Sequence, residues 1–208
     1  MKIKEASHIL LAVIVSAFVV SFRALSLEGF LFAGLFFVVI FVFNMGAKKL
    51  WAYNIQSDVE TKIWQFQRYG FYERSYFKVP VPVGIIFPFL LSILSLGYVP
   101  WLATTQTEVL ASKARVAKRH GLYRYSEMTD SDIAWITAAG IFACLVLAII
   151  SYLVGLSSLS KYAVLFAVFN MIPLGNLDGT KILFGNKILW TVLAVISLIG
   201  LGYVIWLV

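Results

Sequence analysis

The stretch Ile133–Leu156, IAWITAAGIFACLVLAIISYLVGL, decides the fold class, because it runs for 24 residues without a charged side chain. About 20 consecutive apolar residues form a helix long enough to cross the hydrocarbon core of a bilayer. A buried strand is much shorter, at about four to eight residues. The stretch therefore predicts a membrane-spanning helix.

The composition of the whole chain agrees with a membrane protein. Its 208 residues are 61% hydrophobic and 13% charged, with a mean hydropathy of +0.90. Soluble domains are about 45–50% apolar and about 25% charged. These values exclude a disordered chain, a coiled coil and a basic domain that binds nucleic acid, so no nucleic-acid partner is expected. The net charge of +7 instead predicts loops that face anionic membrane lipids.

Six apolar segments divide the sequence. They are His8–Phe22, Phe30–Met45, Val83–Ala103, Ile133–Leu156, Tyr162–Leu174 and Lys187–Val208. Between them, Thr61–Tyr69 alternates polar and apolar residues, which is typical of a strand. The expected fold is an all-α polytopic membrane protein with about six hydrophobic segments and a small polar insert that contains strands. No repeat or linker interrupts the chain, so residues 1–208 are predicted to form a single membrane-embedded domain.

Two polar loops, Gly46–Val81 and Thr105–Ser131, carry most of the basic residues. If Val83–Ala103 crossed the membrane between them, the Lys and Arg residues would divide almost evenly, nine against eight. If this segment is re-entrant, 15 of the 17 lie on one side and only Arg23 and Lys161 lie on the other. The positive-inside rule favours the second arrangement. It predicts a multi-pass protein whose N-terminus and two basic loops are cytoplasmic.

The stretch Phe169–Thr180, FNMIPLGNLDGT, places several polar residues at the end of an apolar helix. Pro173 should end that helix, and Gly175 and Gly179 permit a tight turn that directs Asp178 back toward the helix bundle. Asp178 is a candidate functional residue, because a carboxylate at membrane depth is costly. The pattern Asn170-x-x-Pro173-x-x-x-x-Asp178-Gly179 resembles the N-x-x-P…D-G motif of the site-2 protease family, which are intramembrane zinc metalloproteases.

This resemblance implies an order of elements. In that family a helix with the motif H-E-x-x-H comes early, and a polar region with strands follows it. A helix that opens with an Ala-Gly segment comes next, and the Asp-Gly helix follows. Here Ala138–Gly140 stands at the corresponding place, and the chain is similar in size to short archaeal members. The resemblance implies a site-2 protease-like core in which Asp178 faces the second helix.

The zinc-binding motif of that family is missing. A catalytic zinc ion needs about three protein ligands and an open position for water. The two histidines, His8 and His120, are 112 residues apart, so the chain contains no H-x-x-x-H pattern. The single carboxylate of Asp178 cannot bind zinc tightly on its own. The sequence therefore predicts no cofactor, whereas active relatives hold zinc.

Two alignments of the second helix with H-E-x-x-H stay open. The first puts Asn44, Met45 and Lys48 at the positions of the first His, the Glu and the second His. The second, one residue earlier, puts Phe43, Asn44 and Ala47 there. Either alignment removes both histidine ligands and the general base.

The sequence predicts a catalytically inactive relative of site-2 proteases that binds transmembrane or unwound, membrane-associated peptides. The strand-like stretch Lys62–Tyr69 is expected to offer an edge to such a peptide. One alternative is an active intramembrane metallopeptidase with an unorthodox site. Another is a transporter or lipid-binding membrane protein that shares only the order of helices.

The first alignment also predicts an ion pair between Lys48 and Asp178. The carboxylate needs a counter-charge at membrane depth, and a lysine at this helix position is long enough to reach it. The remaining donors of the ammonium group are expected to reach the side-chain carbonyl of Asn44 or Asn170.

Overall fold

The computed structural model describes residues 3–23, 26–68, 76–112, 119–120, 123–124 and 128–207. The helices of this part are α1 (Ile3–Ser21), α2 (Leu27–Asn54), α3 (Val83–Leu94), α4 (Asp130–Leu153), α5 (Ser157–Met171), α6 (Asp178–Gly185) and α7 (Lys187–Leu207). The strands are β1 (Ser57–Ile63), β2 (Phe66–Arg68), β3 (Tyr76–Val81), β4 (Thr105–Ala111), β5 (Arg119–His120) and β6 (Tyr123–Arg124). The protein is thus mostly helical, with a small insert of strands.

Four helices, α1, α2, α4 and α7, are long and apolar enough to cross a membrane. Large apolar side chains on their outward faces, such as Leu31, Leu35, Leu198 and Ile199, are exposed. This surface is consistent with membrane association. The other two apolar segments form shorter helices, α3 with 12 residues and α5 with 15. A helix of 12 residues is about 18 Å long, which is less than the hydrocarbon core of about 30 Å.

Helix α2 is longer than its apolar segment Phe30–Met45. It begins after Ser26, whose side-chain oxygen accepts a hydrogen bond from the N–H of Gly29, and it continues to Asn54. The extension keeps Lys48 in regular helix, on the same side of α2 as residues one turn before it.

Helix α4 begins earlier than the sequence pattern suggests. Thr129 caps it by accepting a hydrogen bond from the N–H of Asp132, and Asp130 lies in the first turn. Both features favour a helix start. The expectation that Ala138–Gly140 opens this helix is therefore wrong, because these residues lie in its third turn.

The two polar loops meet in an antiparallel pair of strands. Strand β1 of the first loop pairs with β4 of the second, with Thr61 opposite Thr107. Strand β2 pairs with β3, and β5 with β6. The predicted strand Thr61–Tyr69 is interrupted after β1, because Trp64 turns into an apolar cluster with Trp101; its last residue, Tyr69, lies outside the described residues. The described strands β1 and β4 of the two loops therefore lie side by side.

The segment Val83–Ala103 leaves the β1 end and returns to it. At its start, the N–H of Gly84 donates to the carbonyl of Trp64 at 2.8 Å. At its end, the N–H of Trp64 donates to the carbonyl of Thr104 at 2.9 Å. Both ends of the segment therefore lie beside Trp64.

The far end of this segment contacts the end of α1. After α3, Leu96 and Gly97 adopt left-handed backbone conformations, with φ of 50° and 80°. A side chain added at Gly97 would touch Phe22 at 3.2 Å, so the turn packs closely on α1. The guanidinium of Arg23 lies 4.7 Å from the ring centroid of Tyr98. The excursion therefore reaches the opposite end of α1 from the strands.

Helices α1, α2, α4 and α5 share one apolar core. Its largest fully buried side chains include Phe37, Phe41, Ile141 and Phe166, and the rings of Phe41 and Phe166 lie 5.2 Å apart, edge to face. Lys48 lies about two turns beyond Phe41 along α2. The candidate site is thus at the end of the core where the helices meet the β1–β4 pair.

Candidate functional site

A buried ion pair is the centre of the candidate site. The Nζ atom of Lys48 lies 2.5 Å from Oδ2 of Asp178, and the side chains are only 2% and 3% exposed. Lys48 comes from α2, and Asp178 is the first residue of α6. The structure thus contains the ion pair that the first alignment predicts. It joins residues that are 130 positions apart in the sequence.

Thr107 on β4 completes the polar contacts of this pair. Its hydroxyl oxygen accepts a hydrogen bond from Lys48 at 2.9 Å, and its hydroxyl donates to Oδ1 of Asp178 at 2.8 Å. Each of the three side chains therefore contacts the other two.

The second hydrogen-bond acceptor of Lys48 is Thr107 and not Asn44 or Asn170, the two residues expected from the sequence. The amide nitrogen of Asn44 donates to the sulfur of Cys144 at 3.5 Å. That of Asn170 donates to the carbonyl of Phe166 at 2.9 Å, within α5. The expectation that Asn44 or Asn170 supplies the acceptor is wrong, because a residue of the second polar loop supplies it.

Sequence reasoning missed Thr107. The stretch TQTEVLA, residues 105–111, shows no clear period of two, because Thr105, Gln106 and Thr107 are all polar and Val109 and Leu110 are both apolar. All three of these polar residues are buried in the structure. The sequence pattern therefore gives no signal that singles out Thr107.

Gly140 on α4 makes room for the lysine. A Cβ atom at this position would lie 2.9 Å from both Cγ of Lys48 and the amide nitrogen of Asn44. Atoms of neighbouring residues do not pack that closely. The small residue of the Ala138–Gly140 segment therefore allows α2 and α4 to approach with the lysine stem between them.

The Asn-Pro-Asp-Gly residues shape the turn between α5 and α6. Asn170 is buried at the end of α5, and its Oδ1 atom has no hydrogen-bond partner within the described part of the chain. Pro173 is exposed just after the helix ends. A Cβ atom at Gly179 would lie 2.9 Å from the carbonyl oxygen of Asn170. Close backbone packing at Gly179 thus holds Asp178 against the core.

The two open alignments differ in which side of α2 they use. Asn44, Met45 and Lys48 are buried, at 3%, 8% and 2% exposure. Phe43, the first position of the second alignment, is 46% exposed. Asn44 and Lys48 are one helical turn apart and face α4 and α6 together. The first alignment therefore places the motif positions beside Asp178.

A second lysine reaches the same strand from α6. The ammonium of Lys181 donates to the backbone carbonyl of Thr107. Burial lowers the pKa of Lys181, and the nearby charge of Asp178 opposes this shift. We call the open cavity beside it the α6 groove; it measures about 450 Å³ and is lined by Glu108, Val109, Asp130, Asn176, Thr180 and Lys181, among others.

The groove lies along the edge of β4 that faces away from β1. The N–H of Trp64 donates to Thr104, and the N–H of Ser112 donates to Gln56. In an antiparallel pair, hydrogen-bonded and non-hydrogen-bonded positions alternate. Thr107 is at a non-hydrogen-bonded position, so its carbonyl points away from β1, in agreement with its bond from Lys181.

The described part of the chain does not gather the side chains that usually hold a metal ion. Within the described residues, no three His, Cys, Asp or Glu side chains come together for this purpose. His8 is in α1, and the side chain of His120 is not among those described. The absence of a tightly bound metal stays a prediction.

Comparisons with known proteins add no assignment. A scan against models of protein families, a search of curated proteins and a search of solved structures each found no match.

Proposed function

We propose that this protein is a non-catalytic relative of site-2 proteases that binds transmembrane or membrane-associated peptides without cleaving them. The observation that carries the proposal is the ammonium group of Lys48 against Asp178. In active relatives, the resemblance implies that these two positions would both hold zinc. A lysine cannot be a zinc ligand while it is protonated, and here it neutralises the carboxylate instead.

The proposal depends on the first alignment. Asn44 and Met45 occupy the positions of a histidine ligand and of the general base, and neither side chain can supply that chemistry at neutral pH. Their burial next to Lys48 supports this alignment. Of the residues that the resemblance assigns to zinc binding, Asp178 keeps a side chain that could be a ligand.

Peptide binding is supported by the edge of β4. A strand edge that faces a groove can pair with an extended peptide through backbone hydrogen bonds. The sequence pattern placed this edge at Lys62–Tyr69, but the α6 groove lies beside Glu108 and Val109 of β4. In this proposal, the peptide adds to β4.

We further propose that the N-terminus and both basic loops are cytoplasmic. The pairing of β1 with β4 and the return of Val83–Ala103 to Trp64 support a common side for the two loops. The test is cysteine labelling at Ser75→Cys and Ser112→Cys on a Cys144→Ala background. Labelling of the two sites from opposite sides of the membrane would contradict the arrangement.

Metal binding by a restored motif tests the function. The variant Asn44→His/Met45→Glu/Lys48→His recreates H-E-x-x-H beside Asp178, and we expect it to retain one zinc ion per chain after dialysis. The matched control is Phe43→His/Asn44→Glu/Ala47→His, which follows the second alignment and should retain none. Zinc is measured by elemental analysis of folded protein, with and without Asp178→Ala.

Two outcomes would contradict the proposal. If the unaltered protein retains one zinc ion, and Asp178→Ala removes it, the active metallopeptidase with an unorthodox site becomes the better interpretation. If the restored variant folds but takes no zinc, the motif positions are wrongly assigned.

A transporter is the second candidate, and one observation favours it. Two segments are interrupted helices: α3 ends at Leu94 and the chain continues through turns and irregular residues to Thr104, and α5 is separated from α6 by the turn at Pro173. Interrupted helices often form substrate sites in transporters. Zinc binding by the restored variant would count against this candidate.

A further inference from the structure

Lys181 carries a charge that the candidate site does not balance. Two carboxylates act on it, Asp178 and Glu108. Asp178 is bound by Lys48 and Thr107, and Glu108 is paired with Lys62. The bonded partner of Lys181 is a neutral carbonyl, that of Thr107. Lys48, Asp178 and Lys181 together therefore keep one excess positive charge in a mostly buried place.

This excess charge lies beside an open groove. Lys181 lines the α6 groove of about 450 Å³ together with Asn176 and two acidic residues, Glu108 and Asp130. Glu108 is paired with Lys62, and Asp130 lies in the first turn of α4, where the helix dipole favours a negative charge. The ammonium of Lys181 instead bonds a neutral backbone carbonyl, an arrangement that leaves it able to attract an anionic group.

The geometry of β4 indicates which kind of molecule carries the anionic group. Val109 is two residues from Thr107, so its N–H and carbonyl also point away from β1, toward the groove that it lines. An extended chain paired with Val109 would place its end, or a side chain near its end, at Lys181. A peptide satisfies both the strand edge and the cation, whereas a free anion uses only the cation.

We propose that Lys181 binds a carboxylate of an extended peptide that pairs with β4 in the α6 groove. This inference rests on the proposed peptide-binding function and names the group that the site recognises. The carboxylate is either the C-terminus of the peptide or an Asp or Glu side chain near it. Recognition of a carboxylate by a partly desolvated ammonium gives a charge-assisted hydrogen bond, which is stronger than one to a neutral group.

Matched peptide pools test the proposal on the full-length protein in neutral phosphatidylcholine nanodiscs. Three fluorescent pools of random pentapeptides are compared by anisotropy: free acids without Asp or Glu, the corresponding amides, and amides with one Asp. We expect at least one carboxylate pool to bind about tenfold more tightly than the plain amides. The pool that shows the preference identifies the source of the carboxylate.

Variants of Lys181 show whether this residue causes the preference. Lys181→Met should remove the preference, measured as the ratio of the affinities for the carboxylate and amide pools, while Lys181→Arg should retain most of it. The control is Lys187→Met, which removes an exposed lysine at the start of α7 and should retain the preference. Melting temperatures establish that each variant is folded.

The outcomes separate this inference from the function on which it rests. If no pool binds, the peptide-binding function fails, and the inference fails with it. If all pools bind equally, or Lys181→Met keeps the preference, only the inference is overturned. If phosphatidylglycerol in the nanodisc displaces the peptides from the unaltered protein but not from Lys181→Met, the site binds a lipid headgroup and the inference is overturned.

Discussion

Strand β4 contacts two lysine–carboxylate ion pairs, one on each face, and one is buried whereas the other is exposed. On one side, Thr107 binds the pair Lys48–Asp178, whose side chains are 2% and 3% exposed. On the other, Glu108 pairs with Lys62, and these side chains are 37% and 36% exposed. Ions in the buried pair have lost their hydration and depend on each other, whereas those in the exposed pair keep water. From this comparison we expect burial, more than contact distance, to decide how much such a pair contributes to the free energy of unfolding.

Removing one partner of the buried pair should have the largest effect. Lys48→Met and Asp178→Asn should each lower the free energy of unfolding by about 3–5 kcal/mol, because the polar groups left behind lose their main partner. Thermal or denaturant unfolding in detergent measures this. The double variant should recover part of the loss, since it leaves neither charge uncompensated. Strictly additive effects would show that the two side chains do not stabilise each other.

Filling the space beside the lysine stem should have the next largest effect. Gly140→Ala should destabilise the protein by about 1–3 kcal/mol, because the added methyl group overlaps Lys48 and Asn44. Gly46→Ala is the matched control: Gly46 also lies within a helix, and a Cβ there meets no atom within 4 Å. Alanine should stabilise that position by about 0.5–1 kcal/mol. Equal effects at the two glycines would contradict close packing at Gly140.

Loss of the Thr107 hydroxyl should cost somewhat less. Thr107→Val keeps the shape of the side chain but removes a donor and an acceptor from the buried pair, so we expect a loss of about 1–2 kcal/mol. Thr107→Ser retains the hydroxyl, so its free energy of unfolding should be closer to that of the unaltered protein. Unfolding measurements on both variants check this order of stabilities. If Thr107→Ser were less stable than Thr107→Val, the hydroxyl would not stabilise the buried pair.

The exposed pair should contribute least. Lys62→Met should change the free energy of unfolding by about 0–1 kcal/mol, and the change should become smaller at high salt, because exposed charges are screened. Unfolding at low and high ionic strength measures both expectations. An effect as large as that of Lys48→Met would mean that burial does not explain the difference between the two pairs.

Much of the helical framework could be predicted from runs of apolar residues, because such runs have few alternatives in a bilayer. Ile133–Leu156 lies largely within α4, and Lys187–Val208 largely within α7. Boundaries were less predictable: α4 begins at Asp130 and α2 ends at Asn54, since caps and polar helix formers, not hydrophobicity, decide where a helix begins and ends. The functional assignment to site-2 proteases rests on a short motif and stays a prediction.

Within the site, the contacts of Asp178 show which features the sequence predicts and which depend on the tertiary structure. The sequence by itself determined that a carboxylate at the end of an apolar helix needs a counter-charge, and the first alignment with the site-2 protease motif implied Lys48 as its source. Only the tertiary structure decided that Thr107 completes the contact, that Gly140 makes room for the lysine, and that Lys181 lies at the groove. The physical reason is that a charge buried from water creates a requirement that is local, whereas the groups that meet it come from segments far apart in the chain. Their meeting depends on strand register and helix packing, which a linear pattern does not specify.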